Sequence, residues 1–413
     1  MQKKKVVVVS SGLKCYREYL FKELISEFRV WLISDQEASW ENQYVEGVTV
    51  VPDYKPETIY QTALQISSKF DFDGLFSWNE QCVVATNDAA ERLGLPAPGE
   101  AAIRACKDKS LGRIILSKNG VLQPHSKYCR TLKEATEFTN SAKFPLVVKP
   151  KAMGASIGVI KVSNQEELID AFSFTMGLSV ENEINDVAGV IVEEFIDGEE
   201  ISIDGAVTNG KYEIVCIARK TVGLPPYFEE VAHTVSNCDP LYANRELFHL
   251  LQKAHSSIGF KCGVTHTEVK ICDRGLVIIE INGRIGGDLI SYIGSLVTDR
   301  KVGCIAARVA VGYMGNIGII KQGVELHSKI EFIYPDFDMI YNDIEISNSY
   351  ADFNGKLKFI KMRSSGDILR YPPNGFLPRA AALISVSNSY SETHEMIRHA
   401  KGFIRIDGEE FGA

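Results

Sequence analysis

A strand-like segment with an unusual ending, IIEINGRIGGD, occupies residues Ile278–Asp288. An apolar run gives way to an acid, an amide and an arginine, and then to two adjacent glycines. Glu280 and Asn282 are two positions apart, so on a strand both side chains point to the same face. The segment therefore predicts a strand that presents a carboxylate and an amide oxygen together.

A second acid, Glu268, lies upstream in the segment GVTHTEVKICDRGL. The sequence Asp273-Arg274-Gly275 has the composition of a three-residue hairpin loop. A hairpin centred on Arg274 places Glu268 opposite Glu280, with Cβ atoms about 4.5–5.5 Å apart. Two carboxylates at that distance repel each other unless a cation lies between them. Two interpretations stay open here: a magnesium site completed by Asn282 and phosphate oxygens, or two solvated acids on an exposed hairpin.

The composition argues against several classes of protein. The chain has 413 residues, enough for two to four domains, and its 45% hydrophobic and 24% charged residues are ordinary for a soluble globular protein. A formal net charge of −8 without a basic aromatic patch argues against nucleic-acid binding. The run VVVV near the N-terminus is too short for a signal peptide or a membrane span. Nine cysteines without a CxxC pair predict reduced thiols and a cytoplasmic protein, and eight histidines without ligand spacing argue against zinc.

Strands and helices alternate over the first hundred residues, in the order KVVVVS, YREYLFKELISEF, RVWLIS, VTVVP, ETIYQTALQISSKF, DGLFSW and EQCVVATNDAAERLG. This alternation predicts a parallel sheet with helices on both faces. The turn Ser10-Ser11-Gly12 stands where a dinucleotide-binding GxGxxG would be, so we expect a Rossmann-like domain without a cofactor of its own. A Pro/Gly-rich linker follows at Gly94–Glu100. From about Gly312 the chain is strand-rich, and we expect a separate C-terminal domain with no chemical motif.

Two further segments place polar residues after apolar strands. In VVKPKAMGASIGVIKV, Lys149 lies near the end of a strand, and Gly154–Gly158 form a turn whose backbone N–H groups suit phosphate oxygens, as a mobile lid would. An ordinary glycine-rich hairpin is the alternative. In VIVEEFIDGEEISID, Glu193 and the Ile196 backbone suit an adenine base, and Glu200 suits a ribose; an exposed acidic hairpin is the alternative.

In this order, the motifs resemble the ATP-grasp superfamily from about Cys106 to Val311. The resemblance implies an α/β protein with the ATP-grasp fold. Its expected parts are an N-terminal Rossmann-like parallel-sheet domain (1–105), a two-subdomain ATP-grasp core (106–311, with a lid subdomain at about 125–190) and a strand-rich C-terminal α+β domain (312–413).

The same resemblance implies ATP as ligand and Mg²⁺, or Mn²⁺, as metal. The residues that match the family's nucleotide contacts are Lys109, Lys149, Gly154, Ser156, Gly158, Glu193, Glu194, Ile196, Glu200 and Lys220, with an ordinary surface lysine as the alternative for Lys220. Those that match the metal ligands are Glu268, Glu280 and Asn282. The match to the catalytic groups comprises Arg284, Lys149 and Glu280.

The segments RKTVGLPPYFEEVAHTVSNCDP and INGRIGGDLI look most like the carboxylate–amine ligases that include bacterial L-amino acid ligases. Such a ligase joins a carboxylate to an amine through an acyl phosphate and releases ADP and phosphate. Ser236 departs from the proline that relatives often carry, which leaves the substrate's identity open. The residues expected to face substrate are Glu80, Glu230, His233, Arg284, Gly286 and Gly287, with Tyr227 and Phe228 at the mouth; a structural role is the alternative for His233.

Two other functions remain as alternatives, a phosphotransferase with a stable phosphorylated product and a non-catalytic ATP-binding module. The second should have lost a metal ligand, yet all three matching residues are present. For a ligase we expect small-molecule carboxylate and amine partners, no nucleic acid and no membrane. A homodimer is a further expectation, because dimers are common among similar ligases.

Overall fold

The computed structural model describes residues 3–182, 189–315, 317–318, 320, 323–347 and 355–411. Within these residues the helices are α1 (Lys14–Glu27), α2 (Pro56–Ser67), α3 (Val83–Arg92), α4 (Glu100–Lys107), α5 (Lys109–Lys118), α6 (Leu132–Phe138), α7 (Gln165–Asn182), α8 (Arg245–Ser257), α9 (Ile290–Thr298), α10 (Val302–Ala310) and α11 (Tyr390–Lys401). None of these helices combines the length and apolar character needed to span a membrane.

The strands in the same residues are β1 (Lys5–Val9), β2 (Arg29–Ser34), β3 (Gly47–Val50), β4 (Gly74–Phe76), β5 (Ser126–Cys129), β6 (Leu146–Pro150), β7 (Ile160–Val162), β8 (Val190–Glu194), β9 (Glu199–Thr208), β10 (Lys211–Gly223), β11 (Glu229–Ser236), β12 (Gly263–Cys272), β13 (Gly275–Asn282), β14 (His327–Ile333), β15 (Met339–Ile346), β16 (Leu357–Lys361), β17 (Ile368–Leu369), β18 (Ala381–Ser387) and β19 (Ile404–Glu410).

The N-terminal region is a parallel sheet in the order β3-β2-β1-β4. Its central strand β1 is buried on both faces, as expected of a parallel sheet covered by helices. Val6 and Val8 pack against α1, whereas Val7 and Val9 pack against α2 and α3. The predicted Rossmann-like arrangement is confirmed.

A small antiparallel sheet in the order β5-β8-β6-β7, called the lid sheet below, lies largely within the residues expected to form the lid subdomain, which stays a prediction. Its apolar face packs on α6 and α7. Residues Gly154–Gly158 connect the antiparallel pair β6 and β7, which confirms the predicted strand–turn–strand order. Ala155, Ser156 and Gly158 have positive φ angles of 56°, 54° and 71°, so the turn reverses direction through left-handed backbone.

The largest sheet has eight strands in the order β13-β12-β9-β10-β11-β14-β18-β16. Three of them, β14, β16 and β18, belong to the region after Gly312 that the sequence suggested to be separate. Strand β14 pairs directly with β11 in antiparallel register, His233 opposite Ile330. The C-terminal region therefore extends the core sheet. The domain boundary at residue 312 stays a prediction, and the pairing of β11 with β14 crosses it.

The hairpin of β12 and β13 brings the two acids of the opening segments together. Glu268 lies opposite Glu280, as the sequence predicts. The predicted three-residue loop, however, is wrong: Cys272 pairs with Gly275, which leaves a two-residue turn. A β-bulge between Glu268 and Val269 shifts the register by one residue, and this shift restores the predicted pairing of the acids.

Candidate functional site

A cleft lies between the lid sheet and the eight-stranded sheet, and most of the predicted site residues line it. Those residues are Lys109, Lys149, Gly154, Ser156, Glu193, Glu194, Ile196, Glu200, Glu230, Glu268, Glu280, Asn282, Arg284 and Gly287. Phe228 also belongs to the lining, whereas six predicted residues do not: Glu80, Gly158, Lys220, Tyr227, His233 and Gly286. Residues from elements nearly two hundred positions apart thus meet around one space.

Each acid of the central pair has a lysine beside it. The Lys109 Nζ lies 3.3 Å from Glu280, and the Lys220 Nζ lies 2.8 Å from Glu268. Burial raises the pKa of Glu268, which the nearby Glu280 carboxylate reinforces although Lys220 opposes it. Burial also favours the neutral form of Glu280, but Lys109 and Lys149 outweigh it and lower the pKa of that carboxyl. With the Asn282 amide, the pair offers hard oxygen donors that fit Mg²⁺ or Mn²⁺.

The position of Lys109 follows from a helix cap. Asp108 precedes α5, and its carboxylate accepts hydrogen bonds from the backbone N–H groups of Ser110 and Leu111, at 2.9 and 3.1 Å. The cap fixes the first turn of α5 beside the lid. From there Lys109 donates to the Met153 carbonyl at 2.5 Å, so it touches both the lid segment and the acid pair.

Lys149 and Glu193 form a buried ion pair in the lid sheet, and Arg113 completes it at 3.0 Å from Glu193. Burial lowers the pKa of the Lys149 ammonium, whereas Arg113 and Lys149 together keep the pKa of Glu193 low in spite of its burial. Arg113 also donates to the Ile279 carbonyl at 2.7 Å, which ties the hinge strand β8 to β13. The sequence analysis missed Arg113, because no local motif surrounds it.

Lys220 is buried, with a side-chain exposure of 1%, so the alternative of a surface lysine is wrong. Its ammonium lies 2.9 Å from Glu200, 2.7 Å from Glu230 and 2.8 Å from Glu268. Burial alone would lower the pKa of Lys220, but these carboxylates raise it well above its ordinary value. Lys220 therefore links the predicted ribose acid with the predicted metal and substrate acids.

A second charge network adjoins the first through Glu230. His233 lies 3.2 Å from both Glu230 and Asp288, and burial would lower its pKa, but the two acids raise it. Arg379 lies 2.6 Å from Asp288 and 3.0 Å from Glu229.

Both Asp288 and Arg379 line the cleft, and both were missed by the sequence analysis. Asp288 ends the opening segment, which was a usable signal. Arg379 belongs to the C-terminal region, in which the sequence has no chemical motif, so nothing in the sequence pointed to its place in the cleft.

Arg284 connects the cleft to the N-terminal sheet. Its Nε donates to Glu80 at 2.6 Å, and Lys107 lies 3.1 Å from the same carboxylate. Burial opposes ionisation of Glu80, yet Arg284 and Lys107 lower its pKa to about 2. Glu80 follows β4, so the predicted position at a carboxyl strand end is correct. Its predicted contact with substrate is untested.

Gly286 is required by close packing. Its backbone N–H donates to Asp204 at 2.9 Å, and a Cβ atom there would lie 2.8 Å from the His266 ring. Asp204 in turn accepts from the His266 Nδ1 at 2.8 Å. The glycine therefore lets the loop after β13 lie directly on the core sheet.

Comparison with protein families adds a finding to this geometry. The model of the ATP-grasp domain matches residues 142–292. The chain contains an ATP-grasp domain. That match includes the lid turn, the hinge, the acid pair and Arg284 described above.

Relatives of this chain include one enzyme named as a ligase and one named as a synthase. Alanine–anticapsin ligase from Bacillus subtilis is 28% identical over 251 residues, which cover 56% of this chain and 53% of that protein. Human carnosine synthase 1 is 25% identical over 229 residues, which cover 52% of this chain and 28% of that protein. The alignments thus span about half the length, or less, of these curated relatives.

Solved structures show the same fold over nearly the whole chain. The L-amino acid ligase from Bacillus licheniformis superposes with a TM-score of 0.81 at 23% identity, covering 99% of this chain and 100% of that one. Phosphoribosylglycinamide synthetase from Anaerococcus prevotii gives a TM-score of 0.73 at 17% identity, with the same coverage. The predicted fold class is confirmed.

Proposed function

We propose that the protein is an ATP-dependent ligase that forms an amide from a carboxylate and an amine and releases ADP and phosphate. The observation that carries this proposal is the pairing of Glu268 with Glu280 beneath the lid turn, with Lys109 and Lys149 beside it. Its support from comparison is the match to the ATP-grasp domain and the similarity to an enzyme named alanine–anticapsin ligase.

The nucleotide would lie along the cleft from the hinge to the acid pair. Residues 193–196 face the space beside the lid sheet and suit the adenine base, and Glu200 suits the ribose. Lys109, Lys149 and the lid turn then lie where the phosphates would be. Lys149 and Lys109 are held by Glu193 and Glu280. Phosphate oxygens would become additional partners of these ammonium groups.

Activation of the carboxylate explains why charge is concentrated here. A carboxylate oxygen attacks the γ-phosphorus, the bond from that phosphorus to ADP breaks, and an acyl phosphate forms. The amine nitrogen then attacks the carbonyl carbon, phosphate leaves with the electron pair of the broken C–O bond, and the nitrogen loses a proton. Lys109, Lys149 and Arg284 would stabilise the negative charge that develops, and the lid would exclude water. Bound Mg²⁺ or Mn²⁺, held by Glu268, Glu280 and Asn282, would supply further neutralisation of the phosphates.

The cellular location and the small-molecule partners of the protein follow from the same proposal. We place the enzyme in the cytoplasm, where ATP and small amino acids are available, with a carboxylate and an amine as its small-molecule partners. The homodimer and the domain bounds given above stay predictions.

The nucleotide product tests the proposal. Purified protein is incubated with ATP, Mg²⁺ and pairs of amino acids or small carboxylic acids, and nucleotides and product masses are measured by chromatography and mass spectrometry. We expect ADP, phosphate and a product lighter by one water than the two substrates together. AMP as the main nucleotide would contradict the acyl-phosphate route. ADP with a stable phosphorylated product, unchanged by amines, would favour a phosphotransferase.

A further inference from the structure

A cluster of three metal-ligating side chains lies outside the cleft, at the place where β11 ends and β14 begins. It comprises Cys238, Glu325 and His327, and one ligand atom of each lies within 4.8 Å of the other two. The Cys238 Sγ is 3.0 Å from the Glu325 Oε1, and the His327 Nε2 is 3.1 Å from the same oxygen. None of these three residues lines the cleft, and the proposed ligase function gives them no role.

The antiparallel pairing of β11 with β14 explains why these side chains meet. Ser236 lies opposite His327, so a continuation of the ladder by two residues sets Cys238 opposite Glu325. Alternate residues of a strand share a face, and all four side chains therefore lie on one face of the pair. Cys238 and Glu325 are 87 positions apart in the chain. Local ligand spacing, which argued against zinc in the sequence, does not detect such a pair.

Asn237 holds the two segments against each other. Its backbone N–H donates to the Leu326 carbonyl at 3.1 Å, which continues the pairing beyond the end of β11. Its side-chain Nδ2 donates to the Val324 carbonyl at 2.8 Å, and its Oδ1 accepts from the Leu326 N–H at 2.9 Å. Cys238 and Glu325, the neighbours of these anchored residues, are thus presented from backbone that is fixed on both sides.

Two donors of the cluster converge on one carboxylate oxygen. Hydrogen bonds from Cys238 and His327 lower the pKa of Glu325. Partial burial and the hydrogen bond to Glu325 raise the pKa of the Cys238 thiol. The His327 side chain is only 9% exposed, and its Nδ1 has no hydrogen-bond partner among the described residues, so Nε2 makes the polar contact of the ring. One divalent cation placed among the three ligand atoms would replace the protons that they now share.

The kinds of donor atom indicate which cation fits. Magnesium and calcium select oxygen ligands, and copper(I) selects soft sulfur, whereas zinc binds thiolate sulfur, imidazole nitrogen and carboxylate oxygen together. Bond lengths of about 2.3 Å to sulfur and about 2.0 Å to nitrogen or oxygen, in a tetrahedron, put ligand atoms about 3.3–3.5 Å apart. The measured separations of 3.0 and 3.1 Å need only a small expansion to reach these values.

We propose that Cys238, Glu325 and His327 bind one Zn²⁺ ion, with the fourth position of the tetrahedron open to water. On binding, the Cys238 S–H bond breaks, a sulfur–zinc bond forms and the proton leaves to solvent. His327 coordinates through the Nε2 lone pair and carries its proton on Nδ1. The thiolate and the Glu325 carboxylate balance the two charges of the ion. The ion would join the end of β11 to the start of β14, and this assignment does not depend on the ligase function.

The acids of the cleft are a second place where a divalent ion can bind, and sulfur distinguishes the two sites. The described residues that line the cleft include Glu230, Glu268, Glu280 and Asp288 but no cysteine. Cobalt(II) is a spectroscopic substitute for zinc, and a thiolate ligand gives it an intense near-ultraviolet charge-transfer band. Oxygen and nitrogen ligands give no such band. A cobalt titration therefore reports on Cys238 even when other ions occupy the cleft.

The experiment compares metal-free, reduced wild type with C238S and H327Q. The controls are C15S, which removes another thiol that is not fully buried, and E280Q, which alters the cleft. Cobalt(II) is titrated first, Zn²⁺ is then added to displace it, and zinc affinity is measured by competition with a chromophoric chelator. We expect one equivalent of thiolate-bound cobalt in wild type, C15S and E280Q, displaced by zinc, and no charge-transfer band in C238S. Zinc affinity should fall about 100-fold in H327Q, as expected for loss of one ligand of three.

Melting temperatures separate loss of the site from loss of the fold. Without metal, C238S and H327Q should melt close to wild type, because Cys238 is exposed and His327 lies at a strand end. Zinc should raise the melting temperature of wild type and C15S but not that of C238S.

Three outcomes would overturn the assignment. Absence of the charge-transfer band in wild type would show that the cluster is hydrogen-bonded only. A band that persists in C238S and disappears in C15S would assign the thiolate to another cysteine. Unchanged zinc affinity in H327Q would remove the histidine from the site. Formation of ADP from amino acids is measured separately, so each of these results leaves the proposed ligase function untouched.

Discussion

Glu280 shares a face with Asn282, lies opposite Glu268 and is 3.3 Å from Lys109, so a change in its charge should affect chemistry more than folding. Glu280→Gln keeps the shape of the side chain and removes one negative charge from the predicted metal ligands. Loss of a contact made in the transition state, worth roughly 3–4 kcal/mol, lowers turnover about 100- to 1,000-fold. The free energy of unfolding should change by about 1 kcal/mol, because the lost ion pair is only partly buried.

Turnover and melting temperature are measured for Glu280→Gln across a magnesium titration. Glu409→Gln, on the exposed strand β19, is the matched control and should behave as wild type in both. Near-normal turnover of Glu280→Gln at low magnesium would mean that the acid pair is a solvated hairpin face after all.

Some charged residues of the cleft could be predicted from the sequence and others could not, and the sequence separation of their partners explains the difference. Glu268 and Glu280 are twelve positions apart within one hairpin, so a symmetric fold about Arg274 predicts their pairing. Arg113 and Arg379 reach acids 80 and 91 positions away. Such contacts depend on how the sheets pack, and no local pattern encodes them.

Among the secondary-structure elements, the hairpin of β12 and β13 was predicted in part. The pairing of Glu268 with Glu280 was correct, and the length of the loop was not. Turn composition alone did not distinguish a two-residue from a three-residue loop, and a bulge is not visible in an alternation of apolar residues. The parallel strands and the lid hairpin were predicted correctly, because buried strands and a glycine turn have clear local patterns. Mobility of the lid stays a prediction.

Helix α8 carries a buried histidine that makes stability depend on pH. The His255 Nδ1 lies 2.8 Å from the Leu251 carbonyl, and its Nε2 lies 3.1 Å from the Thr265 hydroxyl on β12. A carbonyl only accepts, so Nδ1 carries the proton and the neutral ring accepts from Thr265. Burial lowers the pKa of His255 from 6.5 to about 4. The unfolded chain therefore binds more protons between these values, and stability falls as the pH falls from 6.5 toward 4.

The predicted loss from this group is roughly 2 kcal/mol between pH 7 and pH 5. It is measured as the difference in unfolding free energy or melting temperature between wild type and His255→Gln at each pH. The wild-type advantage should shrink on acidification. His249→Gln, at an exposed position of the same helix, should show no such trend. A difference between wild type and His255→Gln that is constant with pH would contradict a buried neutral ring.

At the scale of the whole molecule, the C-terminal region completes both the core sheet and the cleft. Strand β14 covers the edge of β11, which carries Glu229, Glu230 and His233. Ile330, Phe332, Ala382 and Ile384 pack against the apolar face of α9. Arg379 from the same region neutralises Asp288 and Glu229. Sequence reasoning treats such a region as separate because it has its own run of strands, and strand order in a sheet is not readable from chain order.

A truncated chain of residues 1–311 tests this dependence. It lacks β14, β16 and β18, so β11 becomes an open edge, and Ile290, Ile293 and Val297 of α9 lose their cover. Exposing three such side chains costs about 1.5–3 kcal/mol each, and the total approaches the 5–15 kcal/mol that stabilise a typical domain. We expect the truncated chain to aggregate or to lack a cooperative melting transition, as measured by size-exclusion chromatography and circular dichroism. Co-expression of residues 312–413 as a second chain is the control and should restore a soluble complex, because the missing strands can pair in trans. A soluble monomer of residues 1–311 with a sharp transition would show instead that residue 312 begins an independent domain.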